Sequence, residues 1–242
     1  NGAVRGALID RAGTTVEVVA RKGVVLASGG FPANAELRAR YYRHVAAGKR
    51  HVPLAPPGNT GDGARLARAA GGTFQAEAQQ PAAWTPISLV PQRDGSVQPF
   101  PHFIDRCKPG YIAVDRRGRR FANEADSYHD FVPRMIDACR EDPDVETYLI
   151  TDHRAIRRYG IGVVPPAPMP LESYVRSGYL VRANSPAALA RALGIDTQGF
   201  VRTLEAYNHH AERGEDPEFG KGTNAYHRFG GDPAHGPNPN LA

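Results

Sequence analysis

Cysteine, methionine and tryptophan are scarce in this 242-residue chain, which holds two, two and one of them. Cys107 and Cys139 cannot build a disulfide framework and form no metal-type cluster, so a reducing, cytoplasmic setting is expected. No apolar run approaches the ~18 residues that a membrane-crossing helix needs, and no leader pattern opens the chain. Net charge is +5, but the basic residues fall in scattered pairs such as Arg21-Lys22, Lys49-Arg50 and Arg157-Arg158. No basic stripe alternates with aromatics, so nucleic acid is not an expected partner. The nucleotide fingerprints GxGxxG and GxxxxGK are missing, as is the serine elbow GxSxG. His209, His210, His227 and His235 follow no ligand spacing, so no metal is expected.

What is present is ordinary globular material, 41% apolar and 23% charged, with 26 glycines and 21 prolines marking many turns. That is enough chain for one large core or two domains. Residues 4–9 and 14–20 read as strands around the turn Asp10-Arg11-Ala12-Gly13. A short buried strand, Val24-Val25-Leu26-Ala27, is expected next, ended by Ser28-Gly29-Gly30. Asn34 caps a helix through Glu36, Leu37, Tyr41 and Val45. Asn59-Thr60-Gly61-Asp62-Gly63 then opens a helix over 64–70. Glycines at a helix entrance expose N–H groups that can hold an anion or a cofactor oxygen.

Residues 73–110 carry six prolines from Pro81 to Pro109 and read as irregular. They hold Trp84, Phe100, His102 and Phe103, which suit either the wall of a substrate pocket or a packed loop. Tyr111-Ile112-Ala113-Val114-Asp115 is a strand, followed by a basic turn with Arg119 and Arg120 facing solvent. A helix capped by Asp130 places Phe131, Val132, Met135, Ile136 and Cys139 on one face. Tyr128 then stands just before a helix N-terminus, where the dipole favours negative charge on a phenol and Asp130 opposes it. Asp126 and Asp130 could do acid–base work, although capping explains them more simply. Further on, 147–150 is a strand, Asp152 begins a helix, and Pro165-Pro166-Ala167-Pro168-Met169-Pro170 is a rigid linker. Ser185 caps a helix with Pro186 in its first position. Asp196 or Thr197 caps another, with Phe200, Val201, Leu204 and Tyr207 on one face. The last thirty residues offer little core and no closing element. By residues alone this is an α/β protein with an anion-friendly helix entrance.

Three segments add more when taken in series: Val24-Val25-Leu26-Ala27-Ser28-Gly29-Gly30-Phe31, then Asn59-Thr60-Gly61-Asp62-Gly63, then residues 110–124 with Arg120-Phe121-Ala122-Asn123-Glu124. Their order and spacing resemble the flavoprotein family of fumarate reductase and succinate dehydrogenase, which also holds the 3-ketosteroid dehydrogenases. Residues 189–208 look like that family's cap helices, and Glu218-Phe219-Gly220 like its return toward the flavin domain. The resemblance implies FAD as cofactor and an α/β fold: part of a Rossmann-type FAD-binding domain with an inserted α+β cap (substrate) domain. It places a partial FAD-binding domain at 1–74, the cap at 75–212 and a truncated return segment at 213–242. Ala27, Ser28, Gly29, Gly30, Thr60, Gly61 and Asp62 would face the cofactor. The family's opening dinucleotide motif and its C-terminal flavin segment have no counterpart here. The chain, opening at Asn1-Gly2 inside a strand pair, is therefore expected to be a fragment that binds FAD poorly by itself.

The branch is read from three positions. Fumarate reductases place a His near Gln80-Pro81, a Thr-Glu pair where Phe103-Ile104 stand, and an Arg where Tyr128 stands. Apolar replacements suit an apolar substrate, because a buried carboxylate without donors is costly. Trp84 and the Asn-Glu-x-x-x-Tyr pattern of Asn123, Glu124 and Tyr128 resemble the ketosteroid dehydrogenases instead. That implies oxidation of a C–C bond next to a carbonyl, with hydride to flavin N5 and a proton to Tyr128. Trp84 and Phe103 would contact a small apolar carbonyl substrate, and the electron acceptor is left open. A phenol with a pKa of ~10 needs help to act as a base, and Arg106 and His129 are the candidates. Two rival classes stay open: a reductase of a fumarate-like acid, and a non-catalytic binding module that inherits the flavoprotein fold.

Overall fold

The computed structural model describes residues 3–76 and 80–242. Asn1 and Gly2, and residues 77–79 of the stretch expected to be irregular, lie outside the described residues. The chain divides into two compact units, Asn1–Pro81 and Ala82–Ala242.

In the first unit β1 (Gly6–Arg11) pairs antiparallel with β2 (Thr14–Val19), Gly6 opposite Val19. Ala12 and Gly13 between them have φ of 52° and 82°. Two positive φ values give the mirror-image turn whose twist matches the strands, and Asp10 Oδ1 accepts the Gly13 N–H at 2.9 Å. Residues 24–27 are not the expected buried strand: Val25 is 88% exposed. Strand-forming residues become a strand only beside a neighbour that satisfies their N–H and C=O groups, and among the described residues the hairpin is a sheet of two strands only. Asn34 caps α1 (Ala35–Tyr41) through the Leu37 N–H at 3.0 Å. The helix stops at Tyr42, whose backbone is extended, and restarts as α2 (Arg43–Ala46). Tyr41 and Tyr42 bury their rings against Phe31, each with centroids 5.6 Å away, and Phe74 closes the cluster edge-on. α3 (Asp62–Ala69) follows.

The second unit opens with a hairpin where irregular chain is expected: β3 (Ile87–Pro91) and β4 (Val97–Pro101). In a two-stranded sheet every residue lies on an edge strand, where proline's missing N–H is tolerated. A 3-10 turn (Asp105–Cys107) leads to β5 (Tyr111–Val114), paired antiparallel with β6 (Tyr148–Thr151). Successive strand residues point to opposite faces. Ile112 and Val114 therefore join Ile150, Ala190, Phe200 and Leu241 in one core, while Tyr111 joins Ala155, Ile156, Val164 and Leu171 in another. A strand covered on both faces must be apolar throughout, as this one is.

The helices are α4 (Tyr128–Ala138), α5 (His153–Tyr159), α6 (Glu172–Arg176), α7 (Pro186–Leu193), α8 (Thr197–Ala211) and α9 (Ala225–Gly230). Asp152, Ser185 and Asp196 cap α5, α7 and α8 as expected. Two expectations fail. The proline-rich segment is no free linker, since Val164 and Leu171 on its flanks are buried and the Ala167 N–H donates to Arg157 O at 2.8 Å. The last thirty residues do close the unit. Leu241 is fully buried, and Asn240 Nδ2 donates to Cys107 O at 2.8 Å and to His227 O at 2.7 Å. Polar residues that seal a core through hydrogen bonds leave no trace in hydropathy.

Candidate functional site

In the first unit the two glycine segments meet. The Gly61 N–H donates to Gly30 O at 3.1 Å, and the Ala33 N–H to Asn59 O at 3.0 Å. Asn34, besides capping α1, donates through Nδ2 to Thr60 O at 3.1 Å. Gly29 has φ +83°, and a Cβ there would stand 2.6 Å from Asn59 Oδ1. Gly61, at φ +92°, is the N-cap of α3 and supplies no side-chain cap. The first amides of that helix are therefore left for an outside acceptor. Asp62 lies among them, held by Thr60 Oγ1 at 3.1 Å and Arg65 Nη2 at 3.2 Å. Ala27, Ser28, Gly29, Gly30, Thr60 and Asp62 are exposed, and Gly61 is buried.

In the second unit Tyr128 is the first residue of α4, not the residue before it. The cap is Ser127 rather than Asp130. Ser127 Oγ accepts the Asp130 N–H at 3.1 Å and donates to Asp130 Oδ2 at 2.7 Å. The Ser127 hydroxyl thus caps the helix and is itself held by the Asp130 carboxylate. Pro133 consequently lies inside the helix. The Tyr128 ring, 37% exposed, meets the half-exposed Phe103 ring edge-on at 5.1 Å. Trp84 is buried, and its backbone N–H donates to His129 Nδ1 at 3.4 Å. The structure thus brings Phe103 to Tyr128 and the Trp84 backbone to the next residue of α4. None of Trp84, Phe103 and Tyr128 lines the cleft of about 830 Å³ in this unit, whose walls include Ser88, His102, Arg106, Phe131, Ile150 and Tyr179.

The chain just ahead of α4 holds a set of buried charges. Arg120, expected to face solvent, is 5% exposed. Its guanidinium grips Glu124 (Nε to Oε1 2.9 Å, Nη2 to Oε2 2.8 Å) and Asp216 (Nη1 to Oδ1 2.8 Å, Nη2 to Oδ2 3.0 Å). Tyr207 and Phe219 put their ring faces on it at 4.9 and 5.0 Å. Lys221, fully buried, lies 3.5 Å from Glu124 Oε2 and donates to Tyr111 O at 2.6 Å. Burial pushes the Glu124 carboxyl up, but Lys221 and Arg120 outweigh it and hold it below the usual range. At Asp216 burial is likewise outweighed, by the hydrogen bonds and charge of Arg120. Asn123 donates to Phe219 O at 3.0 Å and accepts the Ala125 N–H at 2.9 Å. The Asn-Glu pair is therefore spent on framing the approach to α4. The i,i+4 spacing of Arg120 and Glu124, with the acidic run near Asp216, was the available sequence signal for this network.

The two suggested helpers differ. His129 takes the Trp84 N–H, whereas Arg106 is deeply buried and donates to backbone carbonyls. Asp126 is engaged by His227 Nε2 at 3.0 Å. Among the described residues no group of His, Cys, Asp and Glu could hold a metal ion, and no helix is long and apolar enough to cross a membrane.

Comparison with known proteins bears on this arrangement. The FAD binding domain family matches residues 1–241. A 4-oxocyclohex-2-ene-1-carboxylate 5-dehydrogenase of Sinomonas cyclohexanicum is 42% identical over 242 residues, 100% of this chain and 41% of the relative. A 3-oxosteroid 1-dehydrogenase of Mycolicibacterium smegmatis is 32% identical over 228 residues, 92% of this chain and 38% of the relative. The crystal structure of 3-ketosteroid delta1-dehydrogenase from Sterolibacterium denitrificans, in complex with 1,4-androstadiene-3,17-dione, aligns with a TM-score of 0.78 at 31% identity, over 99% of this chain and 42% of that one. The chain spans about two fifths of the length of the curated relatives it matches. FAD is the cofactor these matches indicate. With its glycine segments joined at a helix entrance and all but its last residue inside the match, the chain belongs to the FAD binding domain family of flavoproteins.

Proposed function

We propose that the chain is part of an FAD-dependent dehydrogenase that oxidises a C–C bond next to a ketone, with Tyr128 as the proton acceptor. The observation that carries this reading is the half-exposed Tyr128 ring at the first turn of α4, set edge-on to Phe103. Residues 1–74 are read as the partial FAD-binding domain and 75–212 as the cap. Residues 213–242 are the return segment, anchored in the second unit by Asp216, Lys221 and Leu241.

The residues of the first unit fit part of an FAD site. Uncapped helix amides at 62–64 can donate to oxygen acceptors, and the adjoining Asp62 carboxylate can accept from hydroxyls. The positive φ of Gly29 lets chain 28–30 lie against 59–63 with no side chain between them. When bound, FAD supplies the hydride acceptor. The rest falls to this chain's own groups. Tyr128, on the first turn of α4, would take the proton from the carbon next to the ketone. Phe103, edge-on to the Tyr128 ring, would offer apolar surface to the ring of the substrate, and Trp84 is the second candidate for that wall. The substrate class is a cyclic ketone: the apolar wall favours a 3-ketosteroid, and an oxocyclohexene carboxylate would have to keep its carboxylate away from that wall. Turnover needs a separate electron acceptor. Two buried thiols with no disulfide between them, Cys107 and Cys139, support a cytoplasmic setting.

The test uses the full-length protein with 4-androstene-3,17-dione and 4-oxocyclohex-2-ene-1-carboxylate. Tyr128→Phe is expected to keep flavin absorbance and lose turnover; full turnover removes Tyr128 from the reaction. Reduction of fumarate, with neither ketone oxidised, would move the protein to the acid-reducing branch.

A further inference from the structure

Arg106 is 2% exposed, and its guanidinium hydrogen bonds go to backbone carbonyls rather than to the carboxylate of its neighbour Asp105. Asp105 Oδ2 takes His102 Nδ1 at 2.5 Å and the Gly162 N–H at 2.9 Å, and Oδ1 takes the backbone N–H of Arg106 at 3.0 Å. The guanidinium donates instead to three backbone carbonyls: Nε to His102 O at 3.1 Å, Nη1 to Glu124 O at 2.8 Å and Nη2 to Asp126 O at 3.3 Å. It also lies 4.4 Å from the centre of the Phe131 ring. Burying a cation is expensive, and here carbonyl dipoles and an aromatic face stand in for a counter-charge. What it secures is geometry, because the planar fork fixes all its partners at once.

Those partners belong to two separate segments. His102 immediately precedes Phe103. Glu124 and Asp126 lead into Tyr128, and Phe131 lies one turn further along α4. We propose that Arg106 is the positioning residue that sets the Tyr128 phenol against Phe103, an inference that rests on reading Tyr128 as the proton acceptor. Arg106 acts through these two segments and touches no reacting atom. A lysine cannot replace it, since one ammonium cannot reach three carbonyls spread around a planar fork.

The test combines Arg106→Lys and Tyr128→Phe, singly and together, in the full-length FAD-loaded enzyme with 4-androstene-3,17-dione. Arg106→Lys should lower kcat by on the order of 10²-fold, the scale of a small misplacement of a reacting group. KM should stay within about 3-fold and the flavin spectrum should not change. In single-turnover measurements Arg106→Lys should add less than about 2-fold to the loss caused by Tyr128→Phe, because the two act through one group. Hydrogen exchange should rise in peptides covering 102–104 and 124–128. Arg106→Gln, which keeps N–H donors and drops the charge, is measured in the same way should the lysine variant fail to fold. Unchanged kcat, or an equal loss whether or not Tyr128→Phe is also present, overturns the positioning role. Wild-type turnover by Tyr128→Phe alone is a separate result: it overturns the reading of Tyr128, and this inference with it.

Discussion

Arg120 and Asp216 lie 96 residues apart in sequence and meet in a two-pronged ion pair, at 2.8 and 3.0 Å. With Glu124 on its other side, Arg120 ties the turn after β5 to the return segment. Removing one member leaves buried charge uncompensated. Asp216→Ala should therefore destabilise the protein by about 3–5 kcal/mol, read as a fall in the urea midpoint at neutral pH.

The same network sets an acid limb. Glu124 and Asp216 are both held below their ordinary pKa in the folded chain, burial being outweighed by Lys221 and Arg120 at the first and by Arg120 at the second. The unfolded chain then takes up protons first as pH falls. Their contribution is fully present above the unfolded carboxylate pKa of about 4 and is lost on further acidification through the folded values. Urea midpoints measured from neutral pH downward should fall on the acid side, and less steeply in Asp216→Asn. Equal slopes would mean that Asp216 does not drive the limb.

Gly29→Ala meets two obstacles, a φ of +83° and Asn59 Oδ1 at 2.6 Å from the new methyl. Local strain of about 1–3 kcal/mol should push segment 28–30 away from 59–63. The flavin-to-protein absorbance ratio of the full-length protein should drop. Gly13→Ala is the control, since Gly13 has a φ of +82° but nothing within 4 Å of its Cβ position. It should leave flavin content alone.

Ser127→Ala removes the N-cap bond to the Asp130 N–H and the hydroxyl's bond to the Asp130 carboxylate. The expected loss is about 1 kcal/mol, seen as a lower Tm. Because Tyr128 is the next residue, kcat should also fall by a few-fold, on the order of the frayed fraction of the first turn. A lower Tm with kcat intact would show that the cap serves stability only.

Local features were legible because each needs only its own neighbourhood. Asn34, Asp152, Ser185 and Asp196 cap their helices by reaching an N–H three residues on. The β1 and β2 hairpin was marked by Asp10, Ala12 and Gly13. The choice between Ser127 and Asp130 as the cap of α4 was not legible, since both residue types cap well and only backbone conformation separates them. The β3 and β4 hairpin was hidden by its prolines, although Asp94-Gly95 was a usable signal.

By itself, then, the sequence determined the starts of α1, α5, α7 and α8, the apolar strand Tyr-Ile-Ala-Val of β5, the serial motifs of a flavoprotein, and Tyr128 as the residue to test. Only the tertiary structure decided that Arg120 is buried, that Arg106 spends its donors on carbonyls, that the polar last thirty residues close a core, and that residues 24–27 stay exposed. The physical reason is common to all four. Whether a charge or an amide can be buried, or an apolar run paired, depends on partners that the fold brings from far along the chain. Periodicity and propensity report only on residues a few positions apart.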